Sequence, residues 1–351
     1  MNALELLKEA VNRKASDLFI IAGKPITFKI NGNFVYREEQ ALAPHDTREL
    51  VKGIYDLADG RNVNILTEYG DDDFSVTVAG VSRFRVNAYV QRGSTAAVLR
   101  VITFELPNFR EIGIPDVVMN LTDKKKGLIL VTGTAGSGKS TTLACLIDRI
   151  NKTKDCHVVT LEDPIEYLHR HQKGIISQRE VETDTKNYIK ALRASLRQAP
   201  DVILLGEMRD HETISVAMTA AETGHLVFST LHTVGAANTI DRIIDAFPPN
   251  QQSQVRIQLS MVLQAVVSQQ LIPTVDDRIV PAFEIMIVNN AVRNMIRESK
   301  IHQIDSVIHS SATEGMRIMD TSLLELFKQG VISAKDAVIF STNPEVMSKK
   351  L

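Results

Sequence analysis

The chain has 351 residues, of which 44% are hydrophobic and 23% charged, with 40 basic and 42 acidic side chains. At about 150 residues per domain this supports two globular domains with sizeable cores, and it excludes disordered, collagen-like and toxin-like classes. Charge is even, with 13 basic and 14 acidic residues in 1–107 and 27 and 28 in the remainder, so no half offers a nucleic-acid platform or a polybasic membrane anchor.

The first hundred residues predict a small α+β unit. A helix over Ala3–Arg13, with Leu4, Leu7 and Val11 on one face, leads into a strand at Leu18–Ile21. Its mixed charges do not fit a secretory signal, which needs a basic start and a continuous apolar stretch. Asn31-Gly32 between Pro25–Ile30 and Phe34–Tyr36 is a hairpin signal, because both residues tolerate positive φ. A second helix is expected at Asp46–Leu57, capped by Asp46 or Thr47 after Pro44. Strands follow at Phe74–Val78, Ser82–Tyr89 and Ala96–Ile102, alternating with period two, so Arg83 and Arg85 share one face while Phe84 and Val86 share the other.

Thr103–Pro115, with two prolines and little periodicity, reads as a linker. The expected division is therefore 1–103, a hinge at 104–115, and 116–351. Beyond it, short continuous apolar runs at Leu128–Val131, His157–Leu161, Val202–Leu205, Leu226–Ser229 and Phe283–Val288 alternate with helical stretches. Strands without alternation are covered on both faces, which predicts a mainly parallel α/β core. The tail is expected to be helical over Thr321–Gln329 and Ala334–Phe340, with Ser348–Leu351 frayed. No apolar run reaches the roughly 18–20 residues of a membrane span. Two cysteines, Cys145 and Cys156, fit a reducing compartment and give no zinc or disulfide framework.

Four motifs carry chemistry. Gly133-Thr134-Ala135-Gly136-Ser137-Gly138-Lys139-Ser140-Thr141 matches GxxxxGK[ST] between the strand GLILVT and a helix with Leu143, Leu146, Ile147 and Ile150 on one face. In such a loop backbone N–H groups wrap a β-phosphate, the lysine reaches the β/γ oxygens and the serine ligates Mg²⁺. ATP and Mg²⁺ are thus the expected ligands, at Lys139 and Ser140. Val202–Glu207 is an apolar strand ending in an acid, with Gly206 where a metal-facing aspartate often stands. Glu207 is therefore expected to reach Mg²⁺ through water or to position the attacking water. Thr160–Tyr167 gathers Glu162, Asp163 and Glu166 at another strand end, where they can orient water. Finally His225 and His232 flank one strand, seven residues apart. The odd spacing makes them poor co-ligands and suggests a γ-phosphate sensor at one end with a polar support at the other.

In order and spacing these boxes resemble the secretion ATPase superfamily of type II and type IV secretion and type IV pili. Ala291-Val292-Arg293-Asn294-Met295-Ile296-Arg297-Glu298 resembles the AIRNLIRE signature of the pilus retraction ATPases, and the likeness runs from the N-terminal segment to about residue 340. On physical grounds Ala291, Val292, Met295 and Ile296 form an apolar stripe beside a polar row of Arg293 and Arg297. The resemblance implies a RecA-like P-loop ATPase domain behind a smaller α+β, PAS-like domain. It implies a cytoplasmic homohexameric Mg-ATPase ring at the inner face of the membrane, driving pilus retraction and twitching motility through an inner-membrane platform protein, without nucleic acid. It also implies that Arg83 and Arg85 close over the nucleotide, with Arg193, Arg197 and Arg209 as further candidates. Glu207 and Glu162 would share water positioning and base work, and His225 or His232 would sense the γ-phosphate. The alternatives are a pilus-assembly or type II secretion ATPase, a nucleic-acid-dependent P-loop ATPase, and a non-catalytic nucleotide switch.

Overall fold

The computed structural model describes residues 2–351. They divide into two compact units: 2–105 together with Ile165–Leu168, and Leu106–Pro164 together with His169–Leu351. The segment expected as a linker is thus split, with Ile114 buried and Phe109 and Ile112 packed on the core of the second unit.

The first unit is one antiparallel sheet of β1 (Asp17–Ile20), β2 (Thr27–Ile30), β3 (Asn33–Tyr36), β4 (Asp71–Val78), β5 (Ser82–Gln91) and β6 (Ser94–Ile102), in the order β3-β2-β1-β6-β5-β4. Asn31 and Gly32 both take positive φ, as the β2–β3 turn requires. The helix Ala3–Asn12 buries Ala3, Leu6, Leu7 and Ala10 in the core of this unit, with Val11 packed partly against it and Leu4 only half-buried. The second helix starts at Pro44, earlier than expected; neither Asp46 nor Thr47 is its cap, and Asp46 instead accepts from the Ala43 amide at 2.8 Å. A short helix, Asn64–Tyr69, has too little periodicity to be seen in sequence.

The second unit is a seven-stranded sheet of β7 (Gly127–Thr132), β8 (His157–Glu162), β9 (Ile175–Glu180), β10 (Val202–Leu205), β11 (Leu226–Leu231), β12 (Leu263–Pro273) and β13 (Ile279–Ile287), in the order β13-β12-β7-β11-β10-β8-β9. All pairs are parallel except β12–β13. β7, β10 and β11 are buried along their full length, as their unbroken apolar runs predict. One sheet face packs against the helices His211–Glu222, Ala236–Asp245 and Pro249–Val262. The other packs against the helix Lys139–Thr153 through Leu143, Leu146, Ile147 and Ile150. No helix among the described residues is long and apolar enough to cross a membrane.

Candidate nucleotide site

The parallel registers align the strand ends. Thr132 pairs with Leu231, and Leu205 pairs with both Ser229 and Leu161. The loop after β7, Glu207 after β10, Glu162 ending β8 and His232 after β11 therefore all emerge at the carboxyl edge of the sheet, where α/β folds hold ligands.

The loop Gly133–Gly138 turns tightly enough to start the next helix at Lys139. Gly133 has φ +141°, and a Cβ there would lie 2.2 Å from the Gln269 carbonyl and 2.6 Å from Ser137 Oγ. Lys139 is buried and its Nζ donates to the Gly133 and Thr134 carbonyls at 2.8 and 2.7 Å, across the loop it closes. Ser137 Oγ is buried inside the loop, and among the described residues it has no hydrogen-bond partner. Ser140 sits half-buried in the first helical turn. Residues and shape both fit a polyphosphate with a hard cation: a positive helix end, a lysine, and hydroxyls facing the loop. Gly133→Ala should lower Tm by about 5 °C or more, because overpacking against a backbone carbonyl and a strained φ together cost roughly 2–6 kcal/mol. Thermal melts with and without ADP would check this, and the stabilisation by ADP should vanish.

Gly206 explains the departure in the strand motif. Its N–H donates to the Leu161 carbonyl at 2.8 Å, and its own carbonyl accepts from Thr230 Oγ1 at 2.6 Å. A Cβ there would meet the Tyr188 hydroxyl at 2.8 Å and the Leu161 carbonyl at 3.2 Å. A side chain at this position would have to displace the Tyr188 hydroxyl and would press on the Leu161 carbonyl, and the strand carries its carboxylate one residue later, at Glu207. Glu207 Oε1 accepts from Arg209 Nε at 2.5 Å, and Oε2 lies 3.3 Å from His232 Nε2. Arg209 also approaches Asp163 at 3.7 Å, and its guanidinium is held protonated chiefly by the bond to Glu207. Burial, then the Asp163 and Glu207 carboxylates, push the Tyr188 phenol up, so it stays a neutral O–H. Glu162 Oε1 accepts from Thr160 Oγ1 at 2.6 Å and from Gln178 Nε2 at 3.3 Å. Glu207, Arg209 and His232 line a cavity of about 280 Å³ together with Arg242.

The two histidines separate as their spacing predicts. His232 joins Glu207 at the carboxyl edge. His225 precedes β11 at the opposite edge, where its Nδ1 lies 2.9 Å from the Ala220 carbonyl. Six strand residues, about 20 Å, lie between it and the loop edge. The γ-phosphate role does not fit His225, whose ring supports the end of the helix His211–Glu222. Arg83 and Arg85 lie in the first unit, where Arg83 donates to Thr77 Oγ1 at 3.0 Å and Arg85 pairs with Asp73 at 3.1 Å. Phe84 and Val86 are buried on the other face of β5.

Sequence reasoning missed Gln269 and Tyr188. Gln269 on β12 accepts from Thr142 Oγ1 at 2.7 Å and backs Gly133 and Gly138. The one signal was three polar residues, Ser268-Gln269-Gln270, inside an otherwise apolar run.

The profile of the family described as Type II/IV secretion system protein matches residues 3–343. The chain belongs to this family. It is 44% identical over 337 residues to the Pseudomonas aeruginosa type IV pilus retraction ATPase PilT, covering 96% of this chain and 97% of that one. It is 49% identical over 277 residues to a twitching motility protein of Neisseria gonorrhoeae, 79% of this chain and 74% of that one. A crystal structure of the pilus retraction motor PilT with bound ADP superposes with a TM-score of 0.90 at 48% identity, covering 99% of each chain. The Legionella pneumophila ATPase DotB follows at 0.77 and 29% identity, covering 97% and 95%. The fold of this secretion-family chain is accordingly the α/β RecA-like ATPase fold behind an α+β domain.

The family-signature helix, Asn290–Arg297, is capped by Asn289 and buries Val292 and Ile296. Met295 packs partly, while Ala291 faces solvent, a correction to the expected apolar stripe. The packing line runs through positions 292 and 296, one turn apart, and Ala291 falls beside it. Arg297 and Glu298 are exposed.

Proposed function

We propose that this protein is an Mg-ATP-hydrolysing motor that powers type IV pilus retraction, working as a homohexameric ring. The observation that carries the reading is the carboxyl-edge site itself: a Lys139-closed phosphate loop at the same sheet edge as a carboxylate, Glu207, held between Arg209 and His232. Such a set does more than bind. Backbone amides of 133–141 and the Lys139 ammonium take the β/γ-phosphates, and Ser140 takes the cation, with Glu207 reaching it through water. Held by Ser140 and, through water, by Glu207, Mg²⁺ would supply positive charge that offsets the charge developing on the transferring phosphoryl group. Glu207, sharing the task with Glu162, orients the attacking water and accepts its proton. His232, hydrogen-bonded to Glu207, reports the γ-phosphate to the loop it heads. Arg83 and Arg85 supply cationic groups that stabilise charge on the transferring phosphoryl group.

The two units are the moving parts in this reading. With Ile114 buried and Phe109 and Ile112 packed, we place the flex of the 104–115 hinge at its first residues. The likeness to PilT and to a twitching motility protein supports retraction over assembly. A cytoplasmic ring beneath an inner-membrane platform protein, with no role for nucleic acid, completes the proposal. Phosphate release by the purified chain tests the chemistry. Pilus number in a strain lacking the protein tests its direction: hyperpiliated cells support retraction, and bald cells overturn it in favour of assembly.

Arg297→Ala should leave ATP turnover within about twofold of wild type, since exposed helix positions change stability by only about 0.5 kcal/mol. Twitching should be lost. Parallel measurement of phosphate release and colony spreading checks this, and equal loss of both would make the helix a structural element only.

A further inference from the structure

Between His232 and the helix Ala236–Asp245 the chain is pinned by two residues outside the site described above. Ser268 on β12 and Glu284 on β13 stand directly opposite each other in the antiparallel ladder. They capture successive amides: Gly235 N–H donates to Ser268 Oγ at 2.9 Å and Ala236 N–H to Glu284 Oε1 at 2.6 Å. The second carboxylate oxygen takes the amide of Met319, first residue of the helix Met319–Lys328, at 3.3 Å. Both side chains are buried, Ser268 at 0% and Glu284 at 6% exposure.

A carboxylate at such a place needs a reason, because burying it is costly unless hydrogen bonds compensate. Burial pushes the Glu284 carboxyl up and Asp305 and Asp320 add like charge, against which the two amides pull down. Both amides open helices, whose positive ends favour an anion. The neighbouring residue on β12 is Gln269, which backs the phosphate loop and bonds Thr142. Consecutive strand residues point to opposite faces, so residues 268 and 269 tie the His232 segment and the phosphate loop to one strand. Within that segment Thr233 Oγ1 bonds Thr239 Oγ1 at 2.7 Å, which fixes it to the pinned helix.

We propose that Ser268 and Glu284 are positioning residues that set where His232 meets Glu207, and that they act on turnover through His232. This rests on the hydrolytic reading above.

The test uses the full chain and the variants Ser268→Ala and Glu284→Gln. The glutamine fills the same space but can offer its amide group to one of the two N–H donors, a donor–donor conflict. Three readouts are expected. Hydrogen exchange of amides 232–240 accelerates about tenfold or more while the phosphate loop keeps its protection. ADP affinity stays within about twofold. The kcat for ATP falls about tenfold with KM little changed, and Ser268→Ala adds no further loss in a His232→Ala background. Unchanged exchange over 232–240, or an equal kcat loss with and without His232, overturns the proposal. Should Glu284→Gln fail to fold, Ser268→Ala carries the same test with one amide contact removed. A wild-type protein that binds ADP and hydrolyses no ATP would sink the motor reading, and the exchange readout would still judge the clamp.

Discussion

Lys139→Ala should abolish measurable ATP turnover, a loss of at least about 10³-fold, with fold and oligomer intact. The ammonium is the only side-chain cation in the loop Gly133–Thr141. Preorganised cations and donors aimed at developing phosphate charge contribute on the order of 10²–10³ each, and here the same group also holds the loop closed through the Gly133 and Thr134 carbonyls. Alanine removes both at once. What it does to stability is smaller. Two charge-assisted bonds are lost, about 1.5–3 kcal/mol each before the relief of a buried charge is counted, and the hydrophobic face of the helix Lys139–Thr153 is untouched. Phosphate release, a thermal melt and gel filtration on the same preparation check the three parts. Turnover near the wild-type rate would remove the phosphate loop from the mechanism.

Legibility from sequence followed the physics of each element. β7, β10 and β11 were plain because strands covered on both faces are written as unbroken apolar runs. The phosphate loop was plain because its glycines, lysine and serine are required together. β12 was hidden. Its start, Leu263, follows the helix Pro249–Val262 with no glycine or proline between them, so no local breaker announces the change of backbone. β9 was hidden too, because Ile175–Glu180 is an edge strand with four of its six residues not fully buried. The helix Ala3–Asn12 shows the limit of periodicity: Leu7 and Val11 pack as expected, and Ala3, Leu6 and Ala10 widen the buried face beyond that stripe. The site was legible where chemistry sits at strand ends and illegible where it depends on close approach. Gly206 looked like a missing aspartate. The Tyr188 hydroxyl and the Leu161 carbonyl lie close beside it and disfavour a side chain there, and neither neighbour can be read from the strand's own sequence. His225 and His232 likewise could be told apart only once strand direction fixed which of them reaches the loop edge.

Glu207→Gln should lower kcat by about 10²–10³-fold with nucleotide affinity nearly unchanged, and the loss should exceed that of Glu162→Gln. The two carboxylates differ in what holds them. Glu162 Oε1 already takes two bonds from within its own sheet, from Thr160 and Gln178, so much of its acceptor capacity serves to order the ends of β8 and β9. Glu207 is held by Arg209 on one oxygen and His232 on the other, which fixes its direction, and it lines the cavity at the carboxyl edge. A positioned base contributes about 10²–10⁴-fold. Glutamine keeps the size and can still accept from Arg209, so packing is preserved and the missing quantity is the negative charge and its basicity. Arg209 would then turn toward Asp163, already 3.7 Å away, and ADP binding, which depends on the phosphate loop, should hold. Single-turnover phosphate release beside equilibrium ADP titration separates the two effects. An equal loss in both variants would mean a shared task, and a larger loss at Glu162 would move the base to β8 and leave Glu207 as the partner that keeps Arg209 and His232 in place.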